Sequence, residues 1–149
     1  MITSIGRLVV VFMVVMSGTT TVDAQTLDTA ALETWLERYG EAWETRSADR
    51  AAEIFSADAL YHEMPFDEPK SGRGGIRDYW STVTADQRDI DFRSEVVAVS
   101  GNTGVARWSA RFSLESSGAR VELDGIFLLT FDAAGLCTSL REWWHVREL

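Results

Sequence analysis

The sequence predicts an α+β domain, because helical periodicity early in the chain gives way to strand periodicity later. Apolar residues recur at three- and four-residue steps in the first half, whereas beyond about residue 88 they alternate with polar residues. Turn sequences rich in Gly, Ser, Asn and Asp divide this second half into four segments. Helices followed by an antiparallel meander are typical of α+β proteins.

Three helices are predicted ahead of the meander. The first covers residues 28–45, where the apolar residues share one face and Asp28 or Thr29 can cap the start. A short second helix covers residues 49–55, and a third opens at residues 76–80. Each helix therefore has one apolar face that can pack on a sheet.

Five strands are predicted from the alternation of apolar and polar residues. They cover residues 58–64, 91–99, 104–115, 119–131 and 136–147. The first strand ends at Met64, because the residue before a proline favours extended geometry and Pro65 opens a turn.

Alternation along the last three strands assigns side chains to the two faces of the sheet. The inward face carries Trp108, Ala110, Phe112, Leu114, Val121, Leu123, Gly125, Phe127, Leu129, Phe131, Leu140 and Trp144. It also carries one acid, Glu142. The opposite face carries Ile126, Leu128 and Trp143 among charged residues, and exposed apolar groups on a sheet commonly mark association, so we expect a homodimer through this face.

Residues 1–24 are predicted to be a cleavable signal peptide, and residues 25–149 to be one folded domain. Arg7 precedes nine consecutive apolar residues, and a segment of small residues ends at Ala24. The apolar run is shorter than the ~20 residues that cross a bilayer, so no permanent membrane anchor is expected. The predicted destination is secreted or periplasmic.

Composition excludes several kinds of partner. The net charge is −9 and the chain has no run of Lys or Arg, so nucleic acid is not an expected partner. The single cysteine, Cys137, excludes a thiolate zinc site and an intramolecular disulfide framework. With two histidines and no metal-binding motif, we expect no metal and no cofactor.

Glu63 is the first candidate for chemistry, because it stands at the end of an apolar strand just before a proline turn. A carboxylate in apolar surroundings becomes a stronger base, as proton abstraction or ligand anchoring requires. The alternative is a solvated Glu63, or one paired with Arg73 or Arg77. Glu142 is the second candidate, and its alternative is an ion pair with an arginine or a hydrogen bond to an indole.

Several segments resemble the nuclear transport factor 2-like superfamily, also called SnoaL-like. The resemblance is carried by WLERY at 35–39, FSADA at 55–59, GRGGIRDYW at 72–80, LDGIF at 123–127 and REWW at 141–144. It implies a cone of three helices wrapped by a curved, mainly antiparallel sheet that encloses a pocket. The superfamily includes isomerases, dehydratases, cyclases, epoxide hydrolases and non-catalytic binding domains, so it leaves the function open.

Within the superfamily, the spacing is most similar to that of the ketosteroid isomerases. This resemblance implies a proton-shuttling carboxylate at Glu63 and an oxyanion-donating hydroxyl at Tyr39. The second oxyanion donor of that family falls at Phe127, which cannot donate a hydrogen bond. Glu142 is additional, so two carboxyls are expected to face one cavity. If they approach within a few ångströms they cannot both ionise easily, and one would act as acid and the other as base.

Three functions stay open at this point. The first is a cofactor-independent lyase, isomerase or cyclase that uses Tyr39, Glu63 and Glu142. The second is a non-catalytic carrier or sensor of a hydrophobic small molecule, and the third is a subunit interaction module. The predicted ligand-binding wall consists of Trp43, Phe55, Tyr61, Trp80, Trp108, Phe112, Leu123, Phe127 and Trp144.

Overall fold

The computed structural model describes residues 26–149, so the predicted signal peptide lies outside the described residues. Three helices pack on one face of a six-stranded sheet, which confirms the predicted α+β class. In chain order the elements are α1 (Thr29–Glu44), α2 (Ala48–Glu53), β1 (Phe55–His62), β2 (Lys70–Ser71), α3 (Gly72–Val83), β3 (Gln87–Ser100), β4 (Thr103–Leu114), β5 (Arg120–Phe131) and β6 (Cys137–Glu148).

The strands are ordered β2-β1-β6-β5-β4-β3 across the sheet. The strands β3 to β6 form the predicted antiparallel meander, in which Phe127 on β5 pairs with Glu142 on β6. The strand β1 instead pairs with β6 in parallel, and His62 lies opposite Arg141. The carboxyl end of β1, which Glu63 follows, therefore lies beside the centre of β6.

The predicted boundaries were wrong at several places, and β3 begins at Gln87 rather than at residue 91. The strand β2 was missed because its two residues are too few to show alternation. The helix α3 begins at Gly72 rather than near residue 76, since glycines have weak helix propensity and hid its first turn. The strand β1 begins at Phe55, which was assigned to the second helix; α2 ends at Glu53.

An aromatic core fills the space between the helices and the inner face of the sheet. The Trp108 ring stacks on Phe127 with centroids 5.0 Å apart, and Tyr39 meets Phe127 edge-on at 5.1 Å. Gly125 permits this packing, because a Cβ at that position would lie 2.8 Å from the Trp108 ring. Such aromatic contacts add to the free energy gained from burial alone.

The outer face of the sheet keeps apolar side chains exposed. Ile126 and Trp143 pair across β5 and β6, and they are 38% and 49% exposed. Arginine–carboxylate pairs surround them, including Arg107–Asp124 and Arg111–Glu122. Within residues 26–149 no helix is both long and apolar enough to span a bilayer.

Candidate active site

A cavity of about 350 Å³ lies between helices α1 and α3 and the inner face of the sheet. Eight aromatic residues line it: Tyr39, Trp43, Tyr61, Tyr79, Trp80, Trp108, Phe112 and Trp144. The other lining residues are Glu63, Val83, Thr84, Gln87, Leu114, Val121, Leu123, Glu142 and Val146. Among these described residues none carries a positive charge. The volume and the apolar wall fall in the range of small-molecule sites.

Ten of the twelve site residues named from the sequence border this cavity, and Phe55 and Phe127 do not. Both are fully buried behind the wall. Phe55 packs against Tyr61, and Phe127 lies against Tyr39 and Trp108. Alternation gave the correct face of the sheet for Phe127, but a period of two carries no information about depth.

Three polar groups in the cavity form a chain of hydrogen bonds. The Tyr61 hydroxyl donates to Glu142 Oε1 at 3.0 Å, and the hydroxyl oxygens of Tyr39 and Tyr61 are 2.9 Å apart. The three side chains come from β1, β6 and α1, and each residue is at most 5% exposed. The partner of Glu142 is thus a phenol, rather than the arginine or indole considered from the sequence.

Glu142 is the sheltered acid of the site. Burial raises its pKa to about 8; the hydrogen bond from Tyr61 opposes the rise, and the nearby negative charge of Glu63 adds to it. At neutral pH the carboxyl is therefore mainly protonated and uncharged. Burial also raises the pKa of Tyr39 and of Tyr61 well above the ordinary value, so both stay hydroxyls.

Glu63 lies at the rim of the same cavity, and 24% of its side chain is exposed. Lys70 Nζ is 3.8 Å from Glu63 Oε2, and it also lies over the Tyr79 ring at 5.2 Å from the centroid. Burial and the nearby charges of Glu142 and Glu63 raise the pKa of the Tyr79 hydroxyl, so Tyr79 stays protonated beside Glu63.

The arginines considered as partners of Glu63 bind elsewhere. Arg73 Nε donates to the carbonyl oxygen of Phe55 at 2.8 Å, and Arg77 Nε donates to Asp49 at 2.6 Å. Lys70 was not predicted as part of the site, because its position depends on β2, whose two residues show no periodic signal. Tyr79 was also missed, although it precedes Trp80 on α3 and helical spacing from Ile76 could have placed it on the inner face.

The two carboxyls occupy different surroundings within one apolar cavity. The one at the rim has a cation nearby, whereas the inner one is buried with a hydroxyl as its hydrogen-bond partner. Such a difference separates a base from an acid: the charged carboxylate can accept a proton while the neutral one donates a hydrogen bond. Within the described residues no group of three or more acidic, histidine or cysteine side chains is placed to hold a metal ion.

Comparison with known proteins agrees with this fold. A sequence model of the SnoaL-like domain matches residues 36–140. The steroid Delta-isomerase of Nocardioides simplex is 24% identical over 115 residues, which cover 77% of this chain and 90% of that protein.

Two solved structures show the same architecture. The epoxide hydrolase/cyclase-like enzyme SalBIII, studied for pyran ring formation in salinomycin, has a TM-score of 0.71 at 16% identity, over 82% of this chain and 98% of its own. The Delta 5-3-ketosteroid isomerase of a Mycobacterium species has a TM-score of 0.68 at 14% identity, over 80% and 98%. These structures share the fold, and the sequence match spans most of the described residues. The chain therefore belongs to the SnoaL-like domain family of the nuclear transport factor 2-like superfamily.

Proposed function

We propose that this protein is a cofactor-independent isomerase, lyase or cyclase that acts on an uncharged hydrophobic small molecule. The observation that carries the proposal is the pair of unlike carboxyls in one apolar cavity, Glu63 beside Lys70 at the rim and Glu142 buried. The names of the relatives, a steroid isomerase and an epoxide hydrolase/cyclase-like enzyme, support the reaction class.

The charge of the site supports an uncharged substrate. Two acids and no cations line the cavity, and the whole chain carries a net charge of −9. An anionic substrate would lose its hydration and meet negative potential at the same time. A neutral molecule avoids both penalties. Its binding is favoured because its apolar surface is buried against the eight aromatic side chains of the cavity.

The proposed chemistry is a proton transfer between the substrate and Glu63. The carboxylate takes a proton from a carbon next to a carbonyl group, and negative charge develops on the carbonyl oxygen. A hydrogen bond from the Tyr39–Tyr61–Glu142 chain stabilises that charge, and one such donor contributes about 10²–10³ to the rate. Return of the same proton to a different carbon gives the isomer and restores Glu63. For an epoxide, Glu63 takes the proton of the attacking hydroxyl as its oxygen forms a new C–O bond, the C–O bond of the epoxide breaks, and Glu142 gives its proton to the epoxide oxygen; loss of a proton from Glu63 to solvent and uptake of one by Glu142 then restore both carboxyls.

A carrier of hydrophobic small molecules is the second candidate. The observation that favours it is that the Tyr39 and Tyr61 hydroxyls already have hydrogen-bond partners, while Phe127 offers no donor. In this function the polar groups orient the ligand and no bond changes.

A panel of neutral ligands distinguishes the candidates. The panel contains β,γ-unsaturated ketones, hydroxy-epoxides and saturated analogues of both. We expect quenching of tryptophan fluorescence by several members, and turnover of at least one reactive class detected by mass spectrometry or absorbance. Binding without any turnover would establish the carrier, and no binding anywhere would leave only the interaction module.

We also propose a homodimer through the outer face of the sheet. Trp143 and Ile126 are exposed there among paired charges, which a second copy could cover by two-fold symmetry. We expect sedimentation at twice the chain mass, and a shift to the monomer for Trp143→Arg. Phe66→Arg is the matched control, because Phe66 is 97% exposed and lies on the loop between β1 and β2 rather than on the outer face of β5 and β6. A monomeric wild-type protein at micromolar concentration would contradict the proposal.

A further inference from the structure

The number of protons in the Tyr39–Tyr61–Glu142 chain depends on one carboxyl. Each tyrosine hydroxyl carries one proton, and Glu142 carries one only when it is neutral. The chain has two internal contacts, at 2.9 and 3.0 Å, and each uses one proton. With Glu142 neutral, three protons serve two contacts and one is left over. With Glu142 ionised, two protons serve two contacts and none is left.

The leftover proton faces the cavity whichever way the chain is oriented. If Tyr61 donates to Glu142, the free O–H belongs to Glu142; if Glu142 donates to Tyr61, the free O–H belongs to Tyr39 or to Tyr61, since either tyrosine can donate to the other. All three residues line the cavity. A ligand at this end of the cavity therefore meets one donor in the neutral state, and only acceptor lone pairs in the ionised state.

No group packed around Glu142 gains or loses a donor proton together with it. From α3, Tyr79 brings a hydroxyl that stays protonated, because burial and the charges of Glu142 and Glu63 raise its pKa, and Glu63 itself offers a negative charge. Opposite Glu142 on β5 stands Phe127, and Cys137 lies on β6 with its thiol donating to the Ser139 carbonyl. Lys70 does not line the cavity, and its ammonium lies beside Glu63.

Other donors also lie in the wall, among them the Trp144 indole and the Thr84 hydroxyl, which donates to the Trp80 carbonyl oxygen. The indole N–H groups of Trp80 and Trp108 are enclosed by protein atoms, and the structure gives them no partner. The amide of Gln87 lines the cavity and accepts a hydrogen bond from Trp43. Indole, amide and threonine hydroxyl groups do not change their proton count between pH 6 and pH 10, so none of them can produce a dependence on pH in that range.

We propose that the ionisation of Glu142 switches the hydrogen-bond chain between one outward donor and none, so that the cavity selects uncharged ligands with an acceptor oxygen only while Glu142 is neutral. The acceptor is a ketone, ether or epoxide oxygen. The inference rests on the cavity being the ligand site of the proposed function. It holds for an enzyme and for a carrier, because it concerns binding alone.

A matched pair of ligands tests the switch. The probes are 2-adamantanone and adamantane, which have nearly the same shape and differ in one acceptor oxygen. Their dissociation constants are measured by tryptophan fluorescence from about pH 6 to about pH 10. We expect the ketone to bind about fivefold more weakly at the high end, since it loses one hydrogen bond to a neutral partner. The hydrocarbon should change by less than about twofold.

Two variants assign the switch to Glu142. In Glu142→Gln the amide always carries protons and never ionises, so the ketone should lose its dependence on pH. In Glu63→Gln the other acid of the cavity is removed, and the dependence should remain. Retention in Glu142→Gln, or a hydrocarbon that follows the same pH curve as the ketone, would overturn the proposal.

An infrared measurement on the unsubstituted protein avoids any problem of folding. The carbonyl stretch of bound 2-adamantanone should lie at lower frequency at pH 6 than at pH 10, because a hydrogen bond weakens the C=O bond. An unchanged frequency would overturn the switch. Failure of both probes to bind would overturn the ligand site as well, whereas the expected pH dependence without turnover of any substrate would reject only the catalytic proposal.

Discussion

Replacing Glu63 with glutamine is expected to lower kcat by about 10²–10⁴-fold on any substrate that the ligand panel identifies. The amide keeps the size of the side chain but cannot accept a proton. Fold stability should change little, since the side chain is partly exposed and its 3.8 Å contact with Lys70 is an ion pair at the rim. Such pairs contribute about 0–1 kcal/mol. Initial rates and urea unfolding measure the two quantities.

Glu68→Gln is the matched control for this substitution. Glu68 is an exposed acid on the loop that follows Glu63, and it does not line the cavity. Its kcat should stay within about twofold of the original value. If Glu63→Gln kept full activity, the proposal that Glu63 acts as the base would be wrong. If kcat fell equally in both variants, the cause would be the loss of negative charge on the loop rather than the loss of a base.

The parts of the fold that could be predicted from the sequence are those with a long periodic signal. The helix α1 repeats its apolar residues over four turns, and the strands from β3 to β6 each span twelve or more residues. The parallel pairing of β1 with β6 was not predicted, because alternation shows which face a residue takes but not which strand lies alongside.

In the site, too, the face that a residue takes could be predicted, whereas its neighbours on other elements could not. Alternation placed Glu142 on the inner face, and the structure has it lining the cavity. Its hydrogen bond with Tyr61 joins residues 81 positions apart and depends on the β1–β6 pairing. Lys70 reaches Glu63 from a strand of two residues, which no sequence period can reveal. Contacts between elements thus determine the electrostatics of the site. Such contacts could not be predicted from the spacing of apolar residues within one element.

The contribution of Glu142 to stability is expected to fall as the pH rises from about 4 to about 8, and Glu142→Gln should remove that fall. In the unfolded chain a glutamate releases its proton near its ordinary pKa of about 4.3. In the folded protein burial holds the pKa of Glu142 at about 8. Between these values the folded state binds more protons than the unfolded state, so the free energy of unfolding decreases with pH. The loss from this one group amounts to a few kcal/mol.

Urea unfolding of both proteins at several pH values measures the effect of Glu142. Near pH 4 the two should differ little, because the carboxyl is mostly neutral in both states. Near pH 8 the Gln variant should be more stable by a few kcal/mol, since its amide can still accept from Tyr61 and has no charge to bury.

The control for this experiment is Glu148→Gln, an exposed acid on the same strand, which should leave the pH dependence unchanged. Taking the difference between variants also cancels the opposite contribution of Glu122, whose pKa is lowered by its hydrogen bonds with Arg111 and Arg147. If Glu142→Gln lost stability at every pH, the carboxyl would have to be charged in the folded state. The hydrogen-bond chain would then have no proton to offer to a ligand.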